Sequence, residues 1–159
     1  MLHVLTNAWF DAVFPAPVEV TEEPTDVASA RTTDFSSEVE PFGLYSVRVT
    51  QMPSDPFIAV GPRQWVQTYG DHWPTKFVEF SPQVTRDEET TTPGGASREL
   101  DVRLDYQGPC SAFVRVFAQL DGEVGRIIVA SAVVGSTPAE EAAALSFLKS
   151  VKPKRAAVH

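Results

Sequence analysis

Residues with chemically reactive side chains are few and far apart in this 159-residue sequence. It contains three histidines, His3, His72 and His159, and one cysteine, Cys110. A zinc site usually takes four ligands that come in closely spaced pairs, and these residues form no such pair. A nucleophilic pair of Cys110 with His72 is conceivable, but the sequence places no Asp or Asn to orient His72. We therefore predict no metal site, no cofactor and no catalytic residue.

Clustered carboxylates do not point to catalysis either. Asp87, Glu88 and Glu89 are consecutive, but they lack the spacing of a calcium-binding loop and are interpreted as a solvated charge run in a polar turn. Glu99 and Asp101 share one strand face among exposed polar residues, which gives no support for glycosidase chemistry. The sequence thus predicts a protein that is not an enzyme.

The charge balance restricts the classes of partner. With 21 acidic against 13 basic residues, the formal net charge is −8. The chain therefore lacks the basic surface that neutralises nucleic-acid phosphates, and nucleic acid is not expected as a partner. No apolar run approaches the roughly 20 residues of a membrane-spanning helix, so no integral membrane segment is predicted.

Length and composition indicate one globular domain. Hydrophobic residues make up 43% and charged residues 21% of the chain, values typical of a globular protein. We expect a single α+β domain over residues 1–153. The tail at 154–159 has nothing to bury and is expected to be disordered. As written, the chain is expected in the cytoplasm; the alternative is the envelope or periplasm, if a leader has been removed.

Three aromatic residues are the candidate binding residues: Trp65, Tyr69 and Trp73. Trp65 and Tyr69 are four residues apart and can share one face of a short helix, which we expect at about 63–69 because Gly61 and Pro62 interrupt a longer one. Two interpretations remain open. The rings either pack against the sheet as core or form a recognition patch for a partner or ligand.

Alternating and continuous apolar patterns predict the strands that would support these residues. The strands indicated are 27–34, 44–51, 75–85, 98–106, 110–120 and 126–134. The last is apolar on both faces and should lie at the centre of the sheet. The proline-rich stretch 11–23 is expected at an edge, and a polar turn over 86–95 is expected to close a hairpin at Gly94 and Gly95.

A C-terminal helix is indicated by a capping box. Thr137 is the expected N-cap, Pro138 the first helical residue and Glu140 the reciprocal capping residue. Leu145, Leu148 and Val151 are expected on its buried face. Consecutive strands joined by short turns pair antiparallel. The whole pattern predicts an α+β fold in which about six or seven antiparallel strands are covered by a C-terminal helix and a short middle helix.

Several short motifs also occur in a characteristic order. They are FPAP at 14–17, GLYSV at 43–47 running on to MP at 52–53, GASRELDV at 95–102, GRIIV at 125–129, VVG at 133–135 and FLKSVKP at 147–153. Together they resemble the PsbP/DcrB-like superfamily of small bacterial domains, most of them envelope-associated and of unknown function. Ser97 stands where the motif usually has glycine, and the middle helix is expected to be shorter than in those domains.

The resemblance implies an antiparallel sheet with helices on its faces and a binding or accessory role without catalytic residues. We accordingly predict a non-catalytic interaction or accessory domain whose partner is another protein. The alternative is a small-molecule binding protein with an aromatic-lined pocket near Trp65, Tyr69 and Trp73. The sequence leaves the oligomeric state open.

Overall fold

The chain alternates long runs of strand with two helical segments. The computed structural model describes residues 2–23, 29–92 and 95–154. Its strands are β1 (His3–Thr6), β2 (Phe10–Phe14), β3 (Glu19–Glu23), β4 (Arg31–Glu38), β5 (Gly43–Pro53), β6 (Gln83–Thr92), β7 (Gly95–Asp105), β8 (Pro109–Asp121), β9 (Val124–Gly135) and β10 (Lys152–Pro153). Its helices are α1 (Ser54–Val60), α2 (Pro62–Thr75), a short 3₁₀ helix (Val78–Phe80) and α3 (Pro138–Ser150).

Seven strands form one antiparallel sheet in the order β3-β4-β5-β9-β8-β7-β6. The predicted α+β fold, an antiparallel sheet with a C-terminal helix and a middle helical segment, is confirmed. A smaller sheet in the order β1-β2-β10 was not predicted. Its central strand turns Phe10, Ala12 and Phe14 into the core, and the prolines that follow it separate it from β3.

Strand β9 lies at the centre of the large sheet, between β5 and β8, as its apolar sequence predicted. Its side chains alternate between two cores. Ile128 and Ala130 belong to a core covered by α3 and β2, whereas Ile127 and Val129 belong to a core covered by α1 and α2. The sheet is therefore covered on both faces at its centre.

Helix α3 begins at the predicted cap but differs from the prediction in two respects, the partner of the Glu140 carboxylate and the exposure of Leu145. The Thr137 hydroxyl accepts the Glu140 N–H at 3.2 Å. The Glu140 carboxylate, however, accepts the Gly135 N–H at 3.0 Å and the Thr137 hydroxyl at 2.8 Å, so it caps the turn that leads out of β9. Leu145, predicted on the buried face, is 41% exposed; the buried face consists of Ala144, Phe147, Leu148 and Val151.

The middle helical segment is longer than the short helix predicted at 63–69. Gly61 has a φ of 92° and separates α1 from α2. Its N–H donates to the Phe57 carbonyl at 2.9 Å and its own carbonyl accepts the Trp65 N–H at 3.1 Å, which continues the hydrogen bonding across the break. Pro62 is the first residue of α2, where its missing N–H costs nothing. Gly61 and Pro62 thus divide the segment without shortening it.

Two predictions for the chain after α2 are wrong. The strand predicted at 75–85 is wrong, because α2 extends to Thr75, the 3₁₀ helix follows, and strand begins only at Gln83. The polar turn predicted from residue 86 is also wrong, because the charged run is an edge strand paired with β7. The tight turn predicted at 94 lies outside the described residues, as do the first residues of the strand predicted at 27–34, which begins at Arg31.

Lys154, predicted to start a disordered tail, is bound to the N-terminal region. Its N–H donates to the Trp9 carbonyl at 2.8 Å, and its ammonium donates to the Asn7 carbonyl at 2.9 Å and lies 3.1 Å from a carboxylate oxygen of Asp11. Residues 155–159 lie outside the described residues. No helix in the described part of the chain is both long and apolar enough to span a membrane.

Candidate functional site

The three predicted aromatic residues lie along the side of α2 that packs on β7 and β8. Trp65 and Tyr69 are half-buried, and Trp73 is only 5% exposed. Val66 and Gly70 on the same side are buried, which matches the spacing of an apolar helix face. The structure therefore brings the three residues together on one face, and that face is directed at the sheet.

Trp65 and Tyr69 have contacts that join α2 to its neighbours. The Trp65 ring stacks on Phe57 with centroids 6.4 Å apart, and its indole N–H donates to the Phe57 carbonyl at 3.1 Å. This connects α1 with α2. Burial raises the pKa of Tyr69 above its usual value, and the nearby Thr50 side chain of β5 offsets part of that increase. Both side chains thus position the helical segment on the sheet.

An arginine that sequence reasoning overlooked holds α2 against the edge of the sheet. Arg98 on β7 is buried and donates two hydrogen bonds, of 2.9 and 2.8 Å, to the Asp87 carboxylate of β6. It also donates to the Gln67 carbonyl and to Asp71 of α2, each at 2.9 Å. A Cβ at Gly70 would lie 2.7 Å from the guanidinium, so glycine lets the arginine reach the helix.

Trp73 begins a second arrangement, in which aromatic rings follow one another from the core to the surface. Its ring centroid lies 4.7 Å from that of Phe77, which lies 6.4 Å from Phe80. Phe80 meets Tyr106 edge-to-face at 4.9 Å, and Tyr106 stacks on Phe42 at 5.5 Å. We call these five residues the aromatic ladder. Edge-to-face and offset contacts of this kind are the favourable geometries for aromatic pairs.

The outer end of the aromatic ladder is open to solvent. Tyr106 is 41% exposed in the turn between β7 and β8, and Val78, between two rings of the ladder, is 71% exposed. Sequence analysis missed Phe42, Phe80 and Tyr106 because they come from three separate connections. The one available signal is that Phe42 and Tyr106 each adjoin the end of a strand, and the pairing of β5, β9, β8 and β7 brings those ends to the same side.

Comparison with known proteins gives similarity in structure only. The sequence matches no known family profile, and no curated protein matches it significantly. The solution structure of the cyanobacterial PsbP protein CyanoP from Synechocystis sp. PCC 6803 superposes with a TM-score of 0.57 at 10% identity, covering 96% of this chain and 92% of that one. The chain has a PsbP-like fold. LpqN, a protein involved in cell envelope biogenesis of Mycobacterium tuberculosis, superposes with a TM-score of 0.54 at 11% identity, covering 88% of this chain and 87% of LpqN.

Within this PsbP-like fold, the two residues of the nucleophilic pair considered from the sequence lie in different environments. The Cys110 thiol is buried, lies 3.7 Å from the Tyr106 carbonyl oxygen, and has its pKa raised by burial. A protonated, buried thiol is a poor nucleophile. His72 is exposed on α2, where its ring lies 3.4 Å from the Thr75 hydroxyl. Residues 2–23, 29–92 and 95–154 contain no group of three or more residues arranged to hold a metal ion.

Three concavities of the PsbP-like fold lie away from the aromatic face of α2. A cleft of about 130 Å³ lies between α3 and β7–β8, and one of about 220 Å³ lies between the start of α3 and the turn before β5. The largest, about 680 Å³, lies between the end of α3 and the small sheet. Trp65, Tyr69 and Trp73 line none of the three.

Proposed function

We propose that this chain is a non-catalytic interaction domain that binds a partner protein through the outer end of the aromatic ladder. The observation that carries the proposal is the exposure of Tyr106, which packs against Phe80 in the outer part of the ladder, and of Val78, which lies between Phe77 and Phe80 in the chain. Tyrosine is well suited to such a surface, since its ring supplies apolar area while its hydroxyl stays hydrated or donates to the partner.

The ladder also reduces the entropic cost of binding. Phe80 and Phe42 hold Tyr106 from two sides, and Phe77 connects Phe80 to buried Trp73. Side chains already fixed in the free protein lose little rotamer freedom on association. Aromatic side chains that become buried on binding carry most of the binding energy in many interfaces.

The absence of catalysis is part of the proposal and is supported by the burial and local contacts of the reactive groups. Cys110 is buried under the β7–β8 turn and hydrogen-bonds to backbone, whereas the His72 ring contacts Thr75 on α2. An association with the cell envelope is also part of the proposal. It is supported by the fold shared with LpqN, which is described as involved in cell envelope biogenesis.

The test compares two surface variants in quantitative affinity capture followed by calorimetry on the purified partner. Tyr106→Ser combined with Val78→Ser removes the exposed end of the ladder, and Ile58→Ser, at an exposed position of α1, is the matched control. We expect the double variant to weaken binding at least about tenfold while Ile58→Ser leaves it unchanged. Equal affinities of the double variant and wild type would refute the proposal.

A thermal-shift screen distinguishes this function from small-molecule binding. A ligand that binds only the folded state raises the melting temperature. A compound that stabilises wild type, and does so less in Trp65→Phe or Trp73→Phe, would instead favour a ligand site at the aromatic face of α2.

A further inference from the structure

The largest of the three concavities described above brings several lysines together in an otherwise acidic protein. It lies on the α3 side of the sheet, opposite α2, and we call it the basic groove; its walls include Val4, Asp11, Val13, Lys149, Lys152 and Lys154. Three of the four lysines of the sequence line it, although the chain carries a net charge of −8. Three of the 13 basic residues of the chain thus meet in one groove, beside the single carboxylate of Asp11.

Two of these lysines, Lys149 and Lys152, form no ion pair within the described ranges, although the Lys152 charge acts on the Asp11 carboxylate at longer range. Lys154 pairs with Asp11 at 3.1 Å and with the Asn7 carbonyl. Lys149 and Lys152 make no ion pair or hydrogen bond through their ammonium groups with any residue of 2–23, 29–92 or 95–154. A favourable interaction with the end of α3 explains Lys149, which lies in its last turn. It does not explain Lys152, which lies beyond the helix on β10.

The opposite wall of the basic groove has an apolar part beside Thr6 and Asp11. Val4 of β1 is 75% exposed and lies directly across from Val13 of β2. Leu2, two residues earlier and so on the same side of an extended chain, is 70% exposed. β1 is also an edge strand of its sheet. The groove therefore offers aliphatic contacts on one side and unpaired ammonium groups on the other.

We propose that the basic groove binds a short, extended acidic peptide segment of a partner protein, with aliphatic side chains on Val4 and Val13 and carboxylates on Lys149 and Lys152. The groove is broad and open, with a volume of about 680 Å³, which leaves room for a peptide segment. This site is separate from the aromatic ladder.

The test uses the full-length protein and fluorescence anisotropy of a labelled peptide. The probe is fluorescein-labelled Glu-Leu-Glu-Leu-Glu-Leu-Glu-Leu, and the same peptide with lysine for glutamate is the control. We expect wild type to bind the acidic probe only, with an affinity that falls as salt increases. Lys149→Glu combined with Lys152→Glu is expected to weaken binding at least about tenfold, and Val4→Ser to weaken it less.

The controls separate this site from general electrostatics and from the aromatic ladder. Arg63→Glu combined with Lys76→Glu makes the same charge change on or next to α2 and should leave binding of the acidic probe nearly unchanged. Tyr106→Ser should also leave it unchanged, so the two sites fail independently. If the charge-reversed groove variant does not fold, as judged by circular dichroism, Lys149→Gln combined with Lys152→Gln replaces it.

Three results would overturn the proposal. Equal weakening by the groove variant and the α2 control would show that net charge alone matters. No binding of the acidic probe by wild type at low salt would show that the groove takes no such segment. Lysine-dependent binding to vesicles containing about 30 mol% phosphatidylserine, with no binding of the peptide, would identify a membrane surface as the occupant.

Discussion

Leu145 and Leu148 show how strongly the environment of a residue depends on its position around one helix. They are three residues apart in α3, yet Leu145 is 41% exposed and Leu148 only 3%. Leu148 packs in the same core as Phe14 and Phe147, whose rings are 5.0 Å apart. The same residue type thus makes two different contributions to the free energy of unfolding.

The two leucines give a matched pair of substitutions. We expect Leu148→Ala to lower the free energy of unfolding by about 2–5 kcal/mol, because it leaves a cavity between α3 and the sheet. Leu145→Ala should lower it by less than about 1 kcal/mol, because its side chain is already partly hydrated. Urea denaturation of both variants measures the difference, and similar losses would contradict the placement of α3.

Helix α2 is held on the sheet by apolar contacts in its middle and by charge at the sheet edge. Arg98 bridges β7, β6 and α2, and its carboxylate partners Asp87 and Asp71 are more exposed than the guanidinium between them. Hydrogen bonds from Arg98 hold the pKa of Asp87 below its usual value. This connects the stability of the α2–sheet contact to pH.

The sign of the pH dependence follows from that pKa. Because the pKa of Asp87 is lower in the folded than in the unfolded protein, its ion pair stabilises the fold above the unfolded-state pKa, near 4. This contribution is lost as the pH falls through the folded-state pKa. In wild type, the free energy of unfolding should decrease as the pH falls from about 5 to 2. We expect Asp87→Asn to make this decrease smaller when it is introduced into wild type, but not when it is introduced into Arg98→Met. Urea denaturation across that pH range measures the difference.

Arg98→Met by itself should lower stability at neutral pH by roughly 1–3 kcal/mol through the lost charged hydrogen bonds. If Asp87→Asn flattens the pH dependence equally in both backgrounds, a different partner lowers the pKa of Asp87.

The whole molecule is organised about β9, with burial decreasing toward the sheet edges. Residues of β9 are buried almost throughout, whereas β3, at one edge, is exposed along nearly its whole length. β6 forms the other edge and carries the charged run. Two helical layers and the small sheet cover only the middle of the large sheet.

This gradient predicts the pattern of amide hydrogen exchange. Amides of β9 and of its neighbour β8 should exchange only by global unfolding, because opening them breaks both cores. Amides of β3 should exchange by local opening, many times faster and with little dependence on denaturant. Exchange followed by NMR at several urea concentrations measures both classes, and protection of β3 equal to that of β9 would contradict the gradient.

Much of the fold could be predicted from local patterns. Strands β5, β7 and β8 have alternating apolar residues, and β9 has a continuous apolar run. Each pattern indicates a strand by itself, because the order of apolar and polar residues within the segment shows which faces are buried. The Thr137 cap is equally local, since its acceptor and donor lie three residues apart. The α+β class follows from the order of these elements.

Only the tertiary structure decided the features that depend on distant partners. The sequence of β6 by itself is typical of a polar turn. It is a strand in the structure, where its charged side chains pair with Arg98 and Asp101 of β7. β10 joins the β1–β2 hairpin only because α3 returns the chain to the N-terminal region.

The candidate sites show the same limit. Sequence analysis identified Trp65, Tyr69 and Trp73 by their spacing along one segment, but the exposed end of the aromatic ladder and the basic groove are each built from connections far apart in the chain. Helical and strand periodicity shows which residues share one face of an element. The pairing of the strands decides which connections lie next to one another in space. That pairing is set by the packing of the whole sheet, which no local pattern contains.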